Sequence, residues 1–184
     1  MRQSLLWLTA FSSVLALAFV ALGPSSAAAR ETRAKMRPDV GVLASIDRHR
    51  RQTWELQRLM GRAPTRTSYT ARSSRGLQYR RWVLRLWRER EQRARRQVLN
   101  PPRKGAWLCI NRYEGPWHDP HAPYYGGLQM DLTFQQIYGA DLLRRKGTAD
   151  RWTPLEQMWV AERAYRSGRG FYPWPNTARA CGLL

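Results

Sequence analysis

Residues 153–168 read TPLEQMWVAERAYRSG and have the clearest helix pattern in the chain. Thr153, Pro154 and Glu156 match an N-cap, a proline at the first helical position and a capping box. Gly168 then interrupts the apolar periodicity, as a helix terminator does. The pattern predicts a well-delimited helix near the C-terminus.

Two shorter helices are predicted before it, over residues 106–113 and 128–138, and no strand-type alternation accompanies them. The second of these is expected to turn inward the side chains of Met130, Phe134, Ile137 and Tyr138. Residues 105–184 therefore predict a small all-α domain.

Charge divides the 184 residues into two unlike parts. Residues 30–104 carry 22 basic and 6 acidic side chains, whereas residues 105–184 carry 9 and 7. We therefore expect a basic helical arm or linker followed by a nearly neutral domain. The length excludes a TIM barrel of typical size, and the single long apolar run excludes a polytopic membrane protein.

Residues 1–29 have the pattern of a secretory signal peptide. Arg2 precedes an almost wholly apolar run over residues 5–22, and an Ala-x-Ala site ends at Ala29. The alternative is an uncleaved membrane anchor, which is opposed by the Gly-Pro pair after the run and by the basic residues that follow. The protein is therefore expected to be secreted or associated with the cell wall.

Cys109 and Cys181 are the only cysteines in the chain. An oxidising compartment makes them a candidate disulfide, which would stabilise a domain of this size. Two buried free thiols become the better interpretation if the chain stays in the cytosol.

The arm contains two predicted helices, over residues 42–60 and Leu77–Val98. The apolar stripe of the second is expected to hold Tyr79, Trp82, Val83, Leu86 and Trp87, with arginines on the opposite face. This helix is expected to pack in a structural hairpin, to lie on an anionic surface such as a membrane or an acidic envelope polymer, or to do both, since the two are compatible. Nucleic acid is not expected as a partner, because export is predicted and no recognised binding motif is present.

Glu114 is the candidate catalytic group of the neutral part. It stands at a predicted helix end beside Trp107, Tyr113 and Trp117, and a carboxyl held against aromatic surface is costly to ionise. Such a group suits general acid catalysis near neutral pH. The alternative is an ordinary exposed glutamate at a helix end.

Three groups of residues occur in a recognisable order around this glutamate. They are Trp107-x-Cys109 with Tyr113-Glu114-Gly115, then Tyr124-Tyr125-Gly126-Gly127-Leu128-Gln129, then Glu156-Gln157 with Trp174-Pro175 before Cys181. This order resembles the transglycosylase-like domain of resuscitation-promoting factors over residues 105–184. The resemblance implies a compact lysozyme-like α domain that acts on the glycan strands of bacterial peptidoglycan. In that family the cysteine directly precedes the catalytic glutamate, whereas here it lies five residues before it.

The resemblance also implies residue roles. Glu114 matches the catalytic acid, and Cys109 with Cys181 match the family disulfide. The residues matched to the sugar-binding cleft are Tyr124, Tyr125, Gly127, Gln129, Thr133 and Gln157.

The implied activity is that of a lytic transglycosylase, which cuts the bond between N-acetylmuramic acid and N-acetylglucosamine with one carboxylate. Glu114 would protonate the glycosidic oxygen and then accept the proton of the substrate's own C6 hydroxyl, giving a 1,6-anhydro product. A hydrolytic muramidase would need a second carboxylate. Asp119 and Asp131 are the nearest candidates, and each is more typical of a turn or cap residue.

Two functions of other classes remain as alternatives. One is a non-catalytic peptidoglycan-binding or structural envelope protein on the same fold, and the other is a membrane-active cationic protein that acts through Leu77–Val98. His118 and His121 are too few ligands to predict a metal site, and no cofactor is expected.

Overall fold

The computed structural model describes residues 26–68 and 76–184 of the chain. The predicted signal peptide at residues 1–29 lies outside these residues except for its last four. Pro38–Leu184 forms one compact unit. Among the described residues, no helix is long and apolar enough to cross a membrane.

The chain is mostly helical, as the sequence predicts. The first three helices are α1 (Ser26–Leu59), α2 (Leu77–Val98) and α3 (Lys104–Glu114). An antiparallel hairpin follows, with β1 (Tyr124–Tyr125) and β2 (Met130–Asp131), and then α4 (Leu132–Tyr138) and α5 (Ala140–Lys146). The C-terminal elements are a 3-10 turn (Ala149–Arg151), α6 (Pro154–Ala164), a π-helical turn (Tyr165–Arg169) and α7 (Pro175–Ala180).

Helix α6 begins as its sequence predicts. The Thr153 hydroxyl accepts the backbone N–H of Glu156 (3.3 Å), and the Glu156 carboxylate accepts that of Thr153 (2.8 Å), with Pro154 at the first helical position. The capping box satisfies backbone N–H groups at the start of the helix, where no backbone carbonyl of the helix is available to pair with them. Seven of the eleven α6 side chains are buried, so this helix runs through the core.

Trp107 on α3 is fully buried in the core of the C-terminal part. Its ring packs against Trp174 and Phe171, with centroids 5.2 and 5.1 Å away. Its indole N–H donates to the fully buried Glu162 on α6 (2.9 Å). Glu162 also accepts the backbone N–H of Arg103 (2.9 Å) and its guanidinium (2.8 Å). The start of α3 is thereby fixed to α6.

The two arm helices pack on each other through Ile46, Val83, Leu84 and Trp87. A second cluster joins them to α6 and consists of Met60, Ala94, Val98 and Trp159. The Trp159 indole donates to the Val98 carbonyl (2.7 Å). Leu77–Val98 therefore packs in a helical hairpin, one of the two arrangements predicted for it. Arm and C-terminal helices share this unit, and the boundary predicted at residues 104–105 stays a prediction.

The prediction of a helix over residues 128–138 is wrong at its start. The helix begins only at Leu132, because the residues before it form the hairpin, and Met130 is buried on β2. Ile137, predicted to face inward, is 60% exposed. Strands of two residues are too short to show alternation, so the sequence pattern could not separate them from the helix that follows.

The apolar stripe predicted for α2 is rotated by about one residue. Trp82 is 48% exposed, whereas Leu84 is buried between Val83 and Trp87. The buried face of α2 continues through Glu91 and Ala94. Because this face includes a carboxylate, a pattern based on apolar residues alone misplaces the centre of the face.

Candidate active site

Glu114 is the last residue of α3, and Gly115 (φ 139°) lets the chain leave the helix there. Oε1 of Glu114 accepts a hydrogen bond of 2.7 Å from the Thr177 hydroxyl on α7. The predicted disulfide between Cys109 and Cys181 is present, with Cα atoms 6.1 Å apart. It ties α3 to the end of α7. Two links therefore hold α7 against the helix that carries Glu114.

The Tyr-Tyr-Gly-Gly-Leu-Gln motif forms β1 and the turn to β2. The backbone N–H of Gln129 donates to the Gly126 carbonyl (3.0 Å) and closes the turn. Gln129 has φ 47°, a left-handed conformation that is unfavourable for a residue with a side chain. Tyr124 is 50% exposed and Tyr125 is half-buried. The hairpin therefore presents the Tyr124 ring to solvent.

Asn111 joins the helix end that carries Glu114 to this turn. Its Nδ2 donates to the carbonyls of Gly115 (2.7 Å) and Gly127 (2.8 Å). A Cβ atom on Gly127 would lie 2.3 Å from that Nδ2, so the approach requires glycine. Asn111 was not predicted as a site residue, since no motif distinguishes it from an exposed helical asparagine.

Gln157 lies behind the turn and is fully buried. Its Nε2 donates to the carbonyls of Trp117 (2.7 Å), Ala149 (2.9 Å) and Trp152 (3.1 Å). A Cβ atom on Gly126 would lie 2.6 Å from Gln157 Oε1, so the two residues are in close contact. Gln157 supports the loops around the hairpin from inside, and its predicted contact with substrate stays a prediction.

Gln129 connects the hairpin to the loop before it. Its Nε2 donates to Asp119 Oδ2 (2.9 Å), and it lies 3.9 Å from the position that a Cβ on Gly115 would take. The ring and the backbone N–H of His121 donate to Asp119 and, with Gln129, hold the pKa of Asp119 below its ordinary value of 3.8. Asp119 is therefore a turn residue with all its contacts local, as its sequence context predicts.

Asp131 caps α4 by accepting the backbone N–H of Phe134 (2.6 Å). Thr133, in the first turn of α4, is exposed, and none of the side-chain hydrogen bonds seen in the described ranges involves it. The structure thus brings Glu114, Gly127 and Gln129 to neighbouring positions but does not link Thr133 to them.

The His118 ring contacts the Asp150 carbonyl (2.7 Å). No group of three or more metal-ligating side chains occurs in the part of the chain that the structure describes.

Glu114 is exceptional among the seven acidic side chains of residues 105–184. Asp131 caps a helix, and the others lie within 4.0 Å of a basic or histidine nitrogen: Asp119, Asp141, Asp150, Glu156 and Glu162. Among the described residues, Glu114 is hydrogen-bonded to Thr177 and forms no ion pair. Its bond to Thr177 helps to hold α7, which a neutral acceptor could also do, and a half-buried carboxyl without a countercharge in the described residues is a candidate functional group.

Thr177 is a second residue that sequence reasoning missed. It lies 63 positions from Glu114 in the chain, and only the packing of α7 on α3 brings the two together. Trp174, three residues earlier, donates its indole N–H to the Leu128 carbonyl in the hairpin turn (2.6 Å). The same helix region therefore contacts both the carboxyl and the hairpin.

Comparisons of the chain with protein-family models, with curated proteins and with solved structures find no match.

Proposed function

We propose that the protein is a secreted peptidoglycan lytic transglycosylase whose lysozyme-like domain lies at residues 105–184. The observation that carries the proposal is the carboxyl of Glu114. Within the described ranges it has neither a countercharge nor a capping role, and it stands beside a hairpin bearing an exposed tyrosine. The resemblance of the surrounding motifs supplies the substrate class. The disulfide is compatible with an oxidising, extracellular location.

The chemistry assigned to Glu114 needs one carboxyl acting twice. The protonated group donates to the glycosidic oxygen as the bond from that oxygen to C1 of N-acetylmuramic acid breaks. The C6 hydroxyl of the same sugar then forms a bond to C1, and its proton passes to the Glu114 carboxylate. The cycle regenerates the acid and consumes no water. Thr177, bonded to Oε1, orients the carboxyl and leaves Oε2 for the substrate.

The hairpin supplies the surface for the glycan. An exposed aromatic ring such as Tyr124 offers the flat apolar face on which a sugar ring can stack. Asn111 fixes the distance from this hairpin to the end of α3. Positioning of this kind places the glycosidic oxygen near the acid.

The one-carboxylate route is supported by the engagement of the two nearest alternatives. Asp119 accepts hydrogen bonds from His121 and Gln129, and Asp131 caps α4. Neither is free to activate a water molecule without giving up a local contact. Hydrolysis with a second carboxylate is therefore the less favoured reaction on this geometry.

The test is digestion of purified peptidoglycan by the wild-type protein, by Glu114→Gln and by Glu89→Gln. Glu89 is an exposed residue of α2, so its substitution makes the same chemical change away from the site. We expect Glu114→Gln to lower the cleavage rate about 10²–10⁴-fold and Glu89→Gln to leave it unchanged. Full activity of Glu114→Gln would refute the proposal. Binding of wild-type protein to peptidoglycan without any cleavage would favour the non-catalytic alternative.

A further inference from the structure

A cavity of about 430 Å³ lies where the turn after α1 meets the C-terminal half of α2. Three arginines line it, Arg62 from the turn and Arg93 and Arg96 from the helix, and the buried ring of Trp159 is part of its wall. The remaining lining residues are Gln97, Asn100 and Pro102. We call this feature the arginine cavity. No carboxylate lines it.

The charges of the arginine cavity are not neutralised by the acidic side chains that the structure describes. None of its three guanidinium groups forms an ion pair with an acidic side chain of the described residues, whereas Arg95, on the same helix, pairs with Glu91 (2.6 Å). Like charges around one cavity repel each other, and a bound anion removes that cost. The three arginines belong to a segment, residues 30–104, that has 22 basic and 6 acidic side chains, and this excess of positive charge adds to the attraction for anions.

The turn that carries Arg62 is held in place. Gly61 adopts φ 67°, and the Met60 carbonyl before it accepts a hydrogen bond from Arg166 Nη2 (2.7 Å). Nη1 of Arg62 donates to the side-chain oxygen of Gln97 (2.7 Å), which directs the guanidinium toward α2. The turn and the guanidinium of Arg62 are therefore held beside α2 before any ligand arrives, which lowers the entropic cost of binding.

We propose that the arginine cavity binds phosphate groups of a water-soluble poly(polyol phosphate), a phosphodiester polymer that carries no nucleobases. Guanidinium groups form paired hydrogen bonds to phosphate oxygens, and three of them can surround one tetrahedral group from different sides. A polymer is favoured over a single ion because its binding to the positively charged arm also releases counterions, and this release adds to the affinity. This site is separate from Glu114 and does not depend on the proposed catalytic function.

Two other polyanionic partners fit the structure less well. Binding to a bilayer through α2 would need a free apolar face, but Val83, Trp87 and Val98 are buried against α1 and α6. Single-stranded nucleic acid binding typically relies on exposed aromatic rings for base stacking, and Trp159 beside the arginines is only 2% exposed. The contacts that remain available at the cavity are those to phosphate.

The test measures binding of fluorescently labelled poly(glycerol phosphate) by anisotropy. The cavity variant is the triple substitution Arg62→Gln, Arg93→Gln, Arg96→Gln. It is compared with a matched triple substitution on α2, outside the cavity: Arg81→Gln, Arg85→Gln, Arg88→Gln. Both remove three positive charges from exposed positions. We expect the cavity variant to bind at least about tenfold more weakly and the matched variant to lose no more than about threefold. Equal losses would overturn the proposal, since they would show attraction to net charge alone.

Further arms of the experiment separate the source of the phosphate. Inorganic phosphate should compete with the polymer for wild-type protein, whereas acetate at equal ionic strength should not. Tighter binding to phosphatidylglycerol vesicles or to single-stranded DNA than to poly(glycerol phosphate) would overturn the assignment. A third triple, with lysine at the three cavity positions, should recover part of the affinity because the charge returns without the planar fork. Thermal unfolding verifies that each variant is folded, and Glu114→Gln should bind the polymer as wild type does.

Discussion

The helical pair α1–α2 and residues 105–184 use buried polar groups in different ways. In the pair, the buried carboxylate of Glu91 contacts His49 (2.6 Å) and Arg95 (2.6 Å). Burial alone would raise the pKa of Glu91, but the hydrogen bonds from His49 and Arg95 hold it below its ordinary value of 4.5. Around the hairpin of residues 105–184, the amides of Asn111 and Gln157 donate to backbone carbonyls of the loops instead, and the buried charge of that part, Glu162, lies on α6.

The difference between the two regions explains how the carboxyl of Glu114 is held in place. Two regular helices can pair a buried charge with residues one turn apart or directly across the seam. Loops have no such regularity, so neutral amides hold them through their carbonyls. Glu114 is then kept in place by the neutral hydroxyl of Thr177. The comparison predicts that polar substitutions in the helical pair change stability alone, whereas those around the hairpin also change activity.

The largest expected effect on stability comes from the disulfide, which closes a loop of 72 residues within the C-terminal part. We expect the double variant Cys109→Ala, Cys181→Ala to lower the free energy of unfolding by about 4 kcal/mol, because the unfolded chain is no longer constrained. Urea titration followed by tryptophan fluorescence measures it. A loss below about 1 kcal/mol would mean that the helix contacts alone hold α7 on α3.

A second prediction compares the ion pairs of two buried glutamates, Glu162 and Glu91. Glu162 is fully buried, and Glu162→Gln leaves the Arg103 guanidinium without its partner, so we expect a loss of about 3 kcal/mol. Glu91→Gln should cost less, about 1–2 kcal/mol, because the Arg95 side chain is 56% exposed and can be hydrated. The same urea titration measures both. A larger loss for Glu91→Gln would contradict this ranking.

The third prediction separates stability from activity. Asn111→Ala should lower the free energy of unfolding by about 1–2 kcal/mol through two lost hydrogen bonds, and should also slow peptidoglycan cleavage at least about tenfold. Gln57→Ala is the matched control, since its amide makes two similar bonds to Thr65 after α1. It should cost comparable stability and no activity. Equal effects of both variants on cleavage would contradict the prediction that only substitutions around the hairpin change activity.

The smallest effect concerns pH. Burial would raise the pKa of Glu156, but its bonds to Lys146 and to the Thr153 backbone hold the pKa below the ordinary value of 4.5. Its contribution to stability is therefore present above that value and is lost as the pH falls through the lowered pKa. We expect Glu156→Gln to be about 1 kcal/mol less stable than wild type at about pH 6, with the difference shrinking as the pH falls below 4.5. A difference that grows on acidification would have the wrong sign.

The parts of the fold that depend on neighbouring residues could be predicted from the sequence. The bounds of α2 and the capping box of α6 are local patterns, and the disulfide is expected because the chain has two cysteines and export is predicted. The hairpin could not be predicted, because its strands have two residues each. Thr177 and Asn111 act through contacts 63 and 16 positions away in the chain, which no local pattern encodes.

The central claim is that Glu114 acts as both acid and base, with the substrate's own hydroxyl as nucleophile. The most direct measurement is mass spectrometry of peptidoglycan fragments produced in water enriched in the heavy isotope of oxygen. The account predicts 1,6-anhydro ends that contain no heavy oxygen and are absent with Glu114→Gln. Reducing ends that carry heavy oxygen would contradict it, because water would then be the nucleophile and a second carboxylate, Asp119 or Asp131, would have to activate it.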